Sequence, residues 1–302
     1  MRRSIFAFTF VFVCGIALTS AHSQVYKFSD LPGPSMTPYA INDAGDTTGQ
    51  FCCGATNDIY DFPKMSYVYT SSAGFNVILP PQGLHVNSFA AGLNNSDTVV
   101  GGYSDNSSVT HGFRFDVGVG TFRTLNFPGS LSTAALGIND SSQIVGVFCT
   151  KINACSSTVS TGDHCFSLVN GTFTQIDYPS AIATACNSVN NKGDIVGVYL
   201  SATQFKGFLY SNGVFTTIDP SPSLYSSAQG INDLGEIVGS FIDSSNKTHG
   251  FTYKSGTFTT FDAPGSLGTQ LFGVNHSGKV VGIETVPKGF FTVSRSFMAT
   301  PK

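Results

Sequence analysis

The 302-residue sequence contains no tryptophan, and only 11% of its residues are charged. Tryptophan is the favoured flat platform in sugar-binding grooves, so its absence argues against such a groove, although Tyr60, Tyr67 and Tyr225 could stack on a sugar instead. So few charged side chains cannot cover the surfaces of many helices, whereas 33 glycines and 27 phenylalanines are typical of a chain rich in strands and turns. Composition therefore predicts an all-β protein.

The sequence also lacks a basic field and the common catalytic motifs. With a net charge of -3 and a pI near 6.0, it has no surplus of cations for phosphate backbones or anionic lipid, so nucleic acid and membrane surfaces are not expected partners. It contains no GxSxG elbow, no HExxH and no phosphate loop. Residues from separate segments could still form a catalytic site, so an enzyme is not excluded.

The first residues have the composition of an export signal. Two arginines precede an apolar run from Ile5 to Leu18, and the small residues Ala21 and Ser23 follow it. We expect residues 1–23 to be a signal peptide and residues 24–302 to form the mature, secreted or periplasmic protein. The alternative is an uncleaved membrane anchor, but the apolar run is shorter than the roughly 20 residues needed to cross a bilayer. We therefore expect cleavage and no membrane span in the mature chain.

A twelve-residue segment, GINDLGEIVGSF at 230–241, recurs six times with small changes. The asparagines of the six copies are spaced 42 to 52 residues apart, which is typical of one four-stranded propeller blade per copy. They are Asn42, Asn94, Asn139, Asn190, Asn232 and Asn275. The repeat therefore predicts a single domain over 24–302, a six-bladed β-propeller of four-stranded antiparallel blades.

Within each copy the motif predicts a hairpin. The asparagine begins a turn whose fourth residue must accept a left-handed conformation, as Gly235 does and Ser142 does less readily. Seven residues after each asparagine lies a strand glycine, which indicates a bulge or the close approach of another backbone. These glycines are Gly49, Gly101, Gly146, Gly197, Gly239 and Gly282.

The remainder of each copy predicts two further strands. In THGFTYKSGTFTTFDAPGS, residues 248–266, the tight-turn dipeptide Ser255-Gly256 separates them. The mature N-terminus, VYKFSDLPGPS, matches the fourth strand of a copy, so we expect it to complete the sixth blade and close the ring. The alternative is that Phe297 to Thr300 supply that strand.

The segments INDxGxIVGxF, HGFxY and GTFTTID with PGS resemble the HAF-type extracellular repeat of secreted bacterial proteins, over nearly the whole mature chain. The resemblance implies export and a repeat-built β domain, and it supplies no catalytic residues. The His-Ala-Phe triplet has glycine for alanine at His111 and His249, and this chain departs from it at Lys206, Lys288 and Cys165.

Candidate binding residues are the histidines at equivalent points of copies two, three and five: His111, His164 and His249. They could form a ring of ligands on one rim, or each could pack within its own blade. Four aspartates recur before proline-bearing turns, where carboxylates can bind backbone N–H groups: Asp30, Asp177, Asp219 and Asp262. The acids near the motif turns do not match a calcium loop, and we expect no metal and no cofactor.

Six cysteines remain after removal of the signal peptide, and an even number in an exported chain predicts disulfides. They are Cys52, Cys53, Cys149, Cys155, Cys165 and Cys186. Cys149 and Cys165 lie at the adjoining ends of the second and third strands of blade three, so we predict a bridge between them, with Cys155 as a competing partner.

Taken together, these features predict a secreted, monomeric, non-catalytic binding or surface-interaction module. Its ligand, for which a cell-surface polymer or a protein is a candidate, is expected on a rim or at the mouth of the channel. The alternative is an extracellular propeller lyase or hydrolase with its site at the channel mouth.

Overall fold

The computed structural model describes residues 26–31, 36–51, 64–81, 87–151 and 160–302, and these residues form six antiparallel sheets of four strands each. The first twelve strands are β1 (Tyr26–Asp30), β2 (Met36–Ile41), β3 (Thr47–Phe51), β4 (Met65–Thr70), β5 (Gly74–Ile78), β6 (Ser88–Leu93), β7 (Thr98–Ser104), β8 (Thr110–Asp116), β9 (Thr121–Leu125), β10 (Ser132–Ile138), β11 (Ile144–Cys149) and β12 (Asp163–Val169). The others are β13 (Thr172–Gln175), β14 (Ala183–Val189), β15 (Ile195–Leu200), β16 (Phe205–Ser211), β17 (Val214–Ile218), β18 (Tyr225–Ile231), β19 (Ile237–Ile242), β20 (Thr248–Lys254), β21 (Thr257–Phe261), β22 (Gly268–Val274), β23 (Val280–Lys288) and β24 (Phe291–Pro301).

The six sheets are the blades of a β-propeller, as the repeat predicts. Blade one is β2 to β5, and blades two to five follow in the same order. The first strand of each blade lies innermost, so closely packed on its neighbours that a side chain added at Gly92 would meet the backbone of Gly137. None of the described segments forms a helix of the length and apolarity that a membrane crossing needs.

The N-terminal strand closes the ring. Blade six has the order β22, β23, β24, β1, and Phe28 of β1 lies opposite Ala299 of β24. Tyr26 and Phe28 pack against a buried cluster that includes Phe261 and Phe297. This confirms the predicted closure, and the alternative is wrong because Phe297 to Thr300 lie in the third strand of the blade.

The core lies between blades. In one cluster, Val145 and Cys165 of blade three pack against Ile195 and Phe208 of blade four. Both faces of a blade are therefore covered, which explains why Ile195 and Val196, neighbours on opposite faces of β15, are both buried. Fully buried rings such as Phe251 hold neighbouring blades together, and loss of one would cost about 3–5 kcal/mol.

The strand glycine of each motif is required by close packing within its own blade. A side chain at Gly239 would overlap the carbonyl oxygen of Ser227 in the first strand and the ring of Phe251 in the third. The same two collisions recur at the other five glycines. A register shift in the first strand, between Ala228 and Gly230, accompanies this approach, and every blade has one.

The disulfide prediction is correct in kind but wrong in its partners. Cys165 is bonded to Cys186, with 5.3 Å between their Cα atoms, and the bond joins blade three to blade four. Cys165 lies opposite Val147 in the ladder, two residues from Cys149, and its side chain is directed at the next blade. Cys149 is also disulfide-bonded, to a partner outside the described residues, where Cys52, Cys53 and Cys155 lie as well.

Alternating strand directions give the ring two faces. The asparagine face carries the motif turns, residues 42–46 and their equivalents, together with the turns between third and fourth strands. The loop face carries the connections between second and third strands and the connections from blade to blade. The two widest sequence separations between a second and a third strand are from Phe51 to Met65 in blade one and from Cys149 to Asp163 in blade three, and these strand ends lie toward the loop face.

Candidate functional site

The motif asparagines form a closed ring around the axis on the asparagine face. Each is buried, with 3–5% of its surface exposed, and its Nδ2 donates to the backbone carbonyl of the motif asparagine in the next blade. The six N···O distances are 2.9–3.5 Å, and the ring ends where Asn275 donates to the carbonyl of Asn42. Each Oδ1 also accepts from a backbone N–H four residues on, at 2.9–3.0 Å.

These bonds give the asparagines a structural task, since the side chain satisfies its own turn and links two blades. The fourth residue of each turn has a positive φ, from 54° at Asp97 and 61° at Ser142 to 88° at Gly45. Ser142 therefore adopts the left-handed conformation that the other five turns also require.

A second ring lies outside the first, at the mouth of the channel. It consists of the residues that follow the motif asparagines: Asp43, Asn95, Asp140, Asn191, Asp233 and His276. In five of the six steps a backbone N–H donates to the Oδ1 of a neighbouring ring residue at 2.7–2.9 Å. The amides of Asn95 and Asn191 each bridge two carboxylates at 2.7–3.0 Å. His276 interrupts the pattern, because the backbone N–H of Asp233 makes no such bond to it.

The electrostatics of this mouth are set by three carboxylates that accept hydrogen bonds from their neighbours. Burial by itself would raise the pKa of Asp140, but hydrogen bonds from the Asn95 backbone and from the Asn191 and Asn95 amides outweigh it and lower the pKa. The cavity between the rings has a volume of about 70 Å³. That is room for about two water molecules, well below the 300 Å³ or more of small-molecule pockets.

The candidate histidines lie on the loop face, and each is bonded within its own blade. His111 contacts Asp105 and Asn126, both at 3.1 Å, and His164 contacts Asp177 at 2.8 Å. His249 lies between two carboxylates, with Nδ1 2.9 Å from Asp262 and Nε2 3.3 Å from Asp243.

Each of these histidines also lies beside an aromatic ring of the second strand, as His249 does on Phe241 at 5.0 Å between centroids. In blade four the position is Lys206, which donates to Asp219 at 2.6 Å. Burial would raise the pKa of Asp219, but hydrogen bonds from Lys206 and Ser223 lower it. The structure does not gather the three histidines into one ligand set, and across the part of the chain it describes no three His, Cys, Asp or Glu side chains are arranged to hold a metal ion.

Three of the aspartates before the proline-bearing turns are partners of these bases. Asp177, Asp219 and Asp262 each form a side-chain hydrogen bond with the histidine or lysine that lies 13 residues earlier in the chain. Asp177 also accepts a hydrogen bond from the backbone N–H of Cys165. The sequence suggested Lys288 as the equivalent base in blade six. The strand register shows that Arg295 occupies this position instead. Lys288 lies at the end of β23 because the hairpin of β23 and β24 is longer than in the other blades.

Four exposed aliphatic side chains surround the channel on the loop face, and the sequence analysis did not identify them. Each directly precedes the innermost strand of its blade, in blades three to six, and 43–52% of its surface is exposed. We call them the apolar crescent: Leu131, Ile182, Leu224 and Leu267. In each, the backbone N–H donates to a carbonyl of the second strand at 2.7–2.8 Å, which fixes its position. The acceptor is the last residue of that strand in blades three to five and Thr285, within the longer β23, in blade six. The signal in the sequence is an aliphatic residue at one site of four copies.

The chain matches no protein-family model and no curated protein. Among solved structures it resembles TolB from Acinetobacter baumannii with a TM-score of 0.60 and 11% identity, over 86% of this chain and 64% of TolB. A puromycin-hydrolyzing peptidase from Mycobacterium tuberculosis gives 0.52 and 9% identity over 84% and 41% of the two chains. A mutant of AofleA from Arthrobotrys oligospora gives 0.50 and 12% over 90% and 86%. This chain thus spans less than two thirds of TolB, and at these identities the likeness concerns the fold alone.

Proposed function

We propose that this chain is a secreted, non-catalytic binding module that contacts its ligand with the loop face around the channel. The observation that carries the proposal is the apolar crescent. Four aliphatic side chains at equivalent positions of four adjacent blades remain exposed on the loop face, where the innermost strands begin. A contiguous exposed apolar surface with a polar border is typical of an interaction site.

The surroundings of the crescent fit this role. The bases and acids of the loop face, such as His164 with Asp177 and Lys206 with Asp219, form a polar border in blades three and four. The asparagine ring holds all six blades in one closed frame, so the crescent is fixed before a ligand arrives and little order is lost on binding. The disulfide between Cys165 and Cys186 supports export, because such bonds persist in oxidising compartments.

An enzyme with its site at the channel mouth is the second candidate, and His276 is the observation that favours it. This exposed imidazole follows the motif asparagine between Asp233 and Asp43, and its backbone N–H donates to the Asp43 carboxylate at 2.8 Å. An imidazole beside carboxylates is a common acid–base arrangement. The small cavity and the mutual bonding of the ring favour a structural use of these groups.

The experiment compares two variants of the mature protein, each with four substitutions. One replaces the crescent with serine (Leu131→Ser, Ile182→Ser, Leu224→Ser, Leu267→Ser). The matched control replaces exposed aliphatic residues of the asparagine face (Val119→Ser, Val169→Ser, Val214→Ser, Leu234→Ser). Binding is measured on an array of bacterial cell-wall polysaccharides and on an array of synthetic peptides, and product formation is followed in the same samples.

We expect the crescent variant to bind about tenfold or more weakly than the unsubstituted protein, and the control to bind equally well. Equal loss in both variants, or binding to neither array, contradicts the proposal. Turnover that His276→Ala abolishes would establish the enzyme instead.

A further inference from the structure

The hairpin of blade six ends in two exposed phenylalanines. β23 and β24 extend beyond the strands of the other blades, and their last pair joins Lys288 to Phe291. Phe290, in the turn, is fully exposed at 104%, and Phe291 is 79% exposed. The corresponding connections of blades two and five, residues 105–109 and 243–247, read DNSSV and DSSNK. We call Phe290 and Phe291 the aromatic tip.

Blade one, the neighbour of blade six, is apolar at two positions, Val77 and Leu79, where blades two to five are polar. Phe75 and Val77 of the outer strand and Leu79 directly after it lie on alternate positions and are 39–49% exposed. The register places Val77 opposite Tyr67 in blade one and Thr217 opposite Phe208 in blade four, so Val77 occupies the position of Thr217. We call these three residues the blade-one patch.

Blade one also lacks the basic side chain that the other blades carry at the position of Lys206. By the same register, Leu79 takes the position of Asp219, and Met65 takes that of Lys206. The pair of base and acid found in blades three to five is thus replaced in blade one by two apolar side chains.

We propose that the occupant of this patch is a second copy of the chain, whose aromatic tip packs on it. The tip lies on the loop face of blade six, and the patch reaches the loop face of the adjacent blade one at Leu79, so one two-fold rotation would place each tip on the patch of the other copy. This arrangement is closed and self-complementary. It differs from the monomer that the sequence predicts.

The apolar area available is sufficient for such a dimer. With about 200 Å² for a fully exposed phenylalanine, the tip and the patch together offer roughly 600 Å² per copy. Two copies would bury about 1,200 Å², the lower limit of specific interfaces. The dimer does not rest on the proposed function. It would leave three of the four crescent residues free, Leu131, Ile182 and Leu224 of blades three to five, and would present two such surfaces at once.

Sedimentation velocity of the mature protein over a range of concentrations tests the dimer. The tip variant is Phe290→Ser with Phe291→Ser. The patch variant, Met65→His with Leu79→Asp, installs the pair that blade five uses. The control is Val119→Ser with Val214→Ser, which removes two exposed valines of the asparagine face. We expect a dimer for the unsubstituted protein and the control, and a dimer dissociation constant raised at least about tenfold in the tip and patch variants.

A mixture of the tip variant and the patch variant provides the sharpest test. The mixed dimer keeps one intact contact, between the tip of one copy and the patch of the other, so it should form more tightly than either variant alone. A monomeric unsubstituted protein at every concentration overturns the proposal, as does a dimer that neither variant weakens. Binding of the aromatic tip to phosphatidylcholine vesicles by a monomer would also overturn it.

Discussion

The two faces of this ring differ in what their polar side chains bond to. On the asparagine face, the motif asparagines and the ring outside them bond from blade to blade, in a pattern that repeats almost without change around the axis. On the loop face, bases and acids such as His249 and Asp262 bond within one blade, and the pattern differs between blades. The comparison indicates that the polar side chains of one face link the blades, whereas those of the other face vary from blade to blade.

The largest effect is expected from breaking the asparagine ring. Asn190→Ala removes the acceptor of two backbone N–H groups, those of Lys192 and Asp194, and the donor to the carbonyl of Asn232. Three buried or half-buried groups then lack partners, so we expect a loss of about 4 kcal/mol in the free energy of unfolding. Urea denaturation measures it.

Asn42→Ala is the matched control within the ring. The Nδ2 of Asn42 makes its contacts only at 3.5 Å, so its loss should be clearly smaller than that of Asn190. Equal losses would show that the blade-to-blade bonds contribute little.

The disulfide is expected to contribute somewhat less than the ring. Cys165→Gly with Cys186→Ala reproduces the uncrosslinked pair that blades four and five use, Gly207 beside Ala228. Because the bridge closes a segment of 21 residues, its removal should lower the free energy of unfolding by about 3 kcal/mol. Thermal unfolding with and without reductant measures this, and a variant as stable as the oxidised protein would refute the stabilising role.

A loop-face pair is expected to contribute little. His249→Ala removes the contacts of one imidazole with Asp243 and Asp262 at the surface. Solvent screens such pairs, so we expect a loss in the free energy of unfolding far smaller than that of Asn190→Ala. The same urea experiment applies, with His111→Ala as the control from a second blade. A loss as large as that of Asn190→Ala would remove the distinction between the faces.

The smallest effect concerns pH and the boundary of blades one and two. Burial, and then the charge of Asp46, raise the pKa of Asp97, so its ionised form is less favourable in the folded than in the unfolded chain. This unfavourable contribution is present at pH 7 and is relieved as pH falls through the raised pKa. Asp97→Asn should therefore be slightly more stable at pH 7 and should remove that part of the pH dependence of the urea midpoint.

The repeat predicts the fold well because its residues are those that the local backbone conformation and the close packing of strands require. The left-handed turn at Gly235 and the strand glycine at Gly239 can be recognised in a single copy of the motif. The spacing between copies fits one four-stranded blade, and the number of copies gives the number of blades. The partner of Cys165 was not predictable, because it depends on which side chains cross from one blade to the next. The apolar crescent was missed for a related reason: Leu131 reads as an ordinary core residue until the topology places it at the channel.

Hydrogen–deuterium exchange of the protein with a ligand found on the arrays tests the division of the two faces most directly. The account predicts new protection where the innermost strands begin on the loop face, around Leu131, Ile182 and Leu224. It predicts no change at the motif turns of the opposite face, residues 94–98 and 190–194. Protection confined to those turns, with the loop face unchanged, would contradict it.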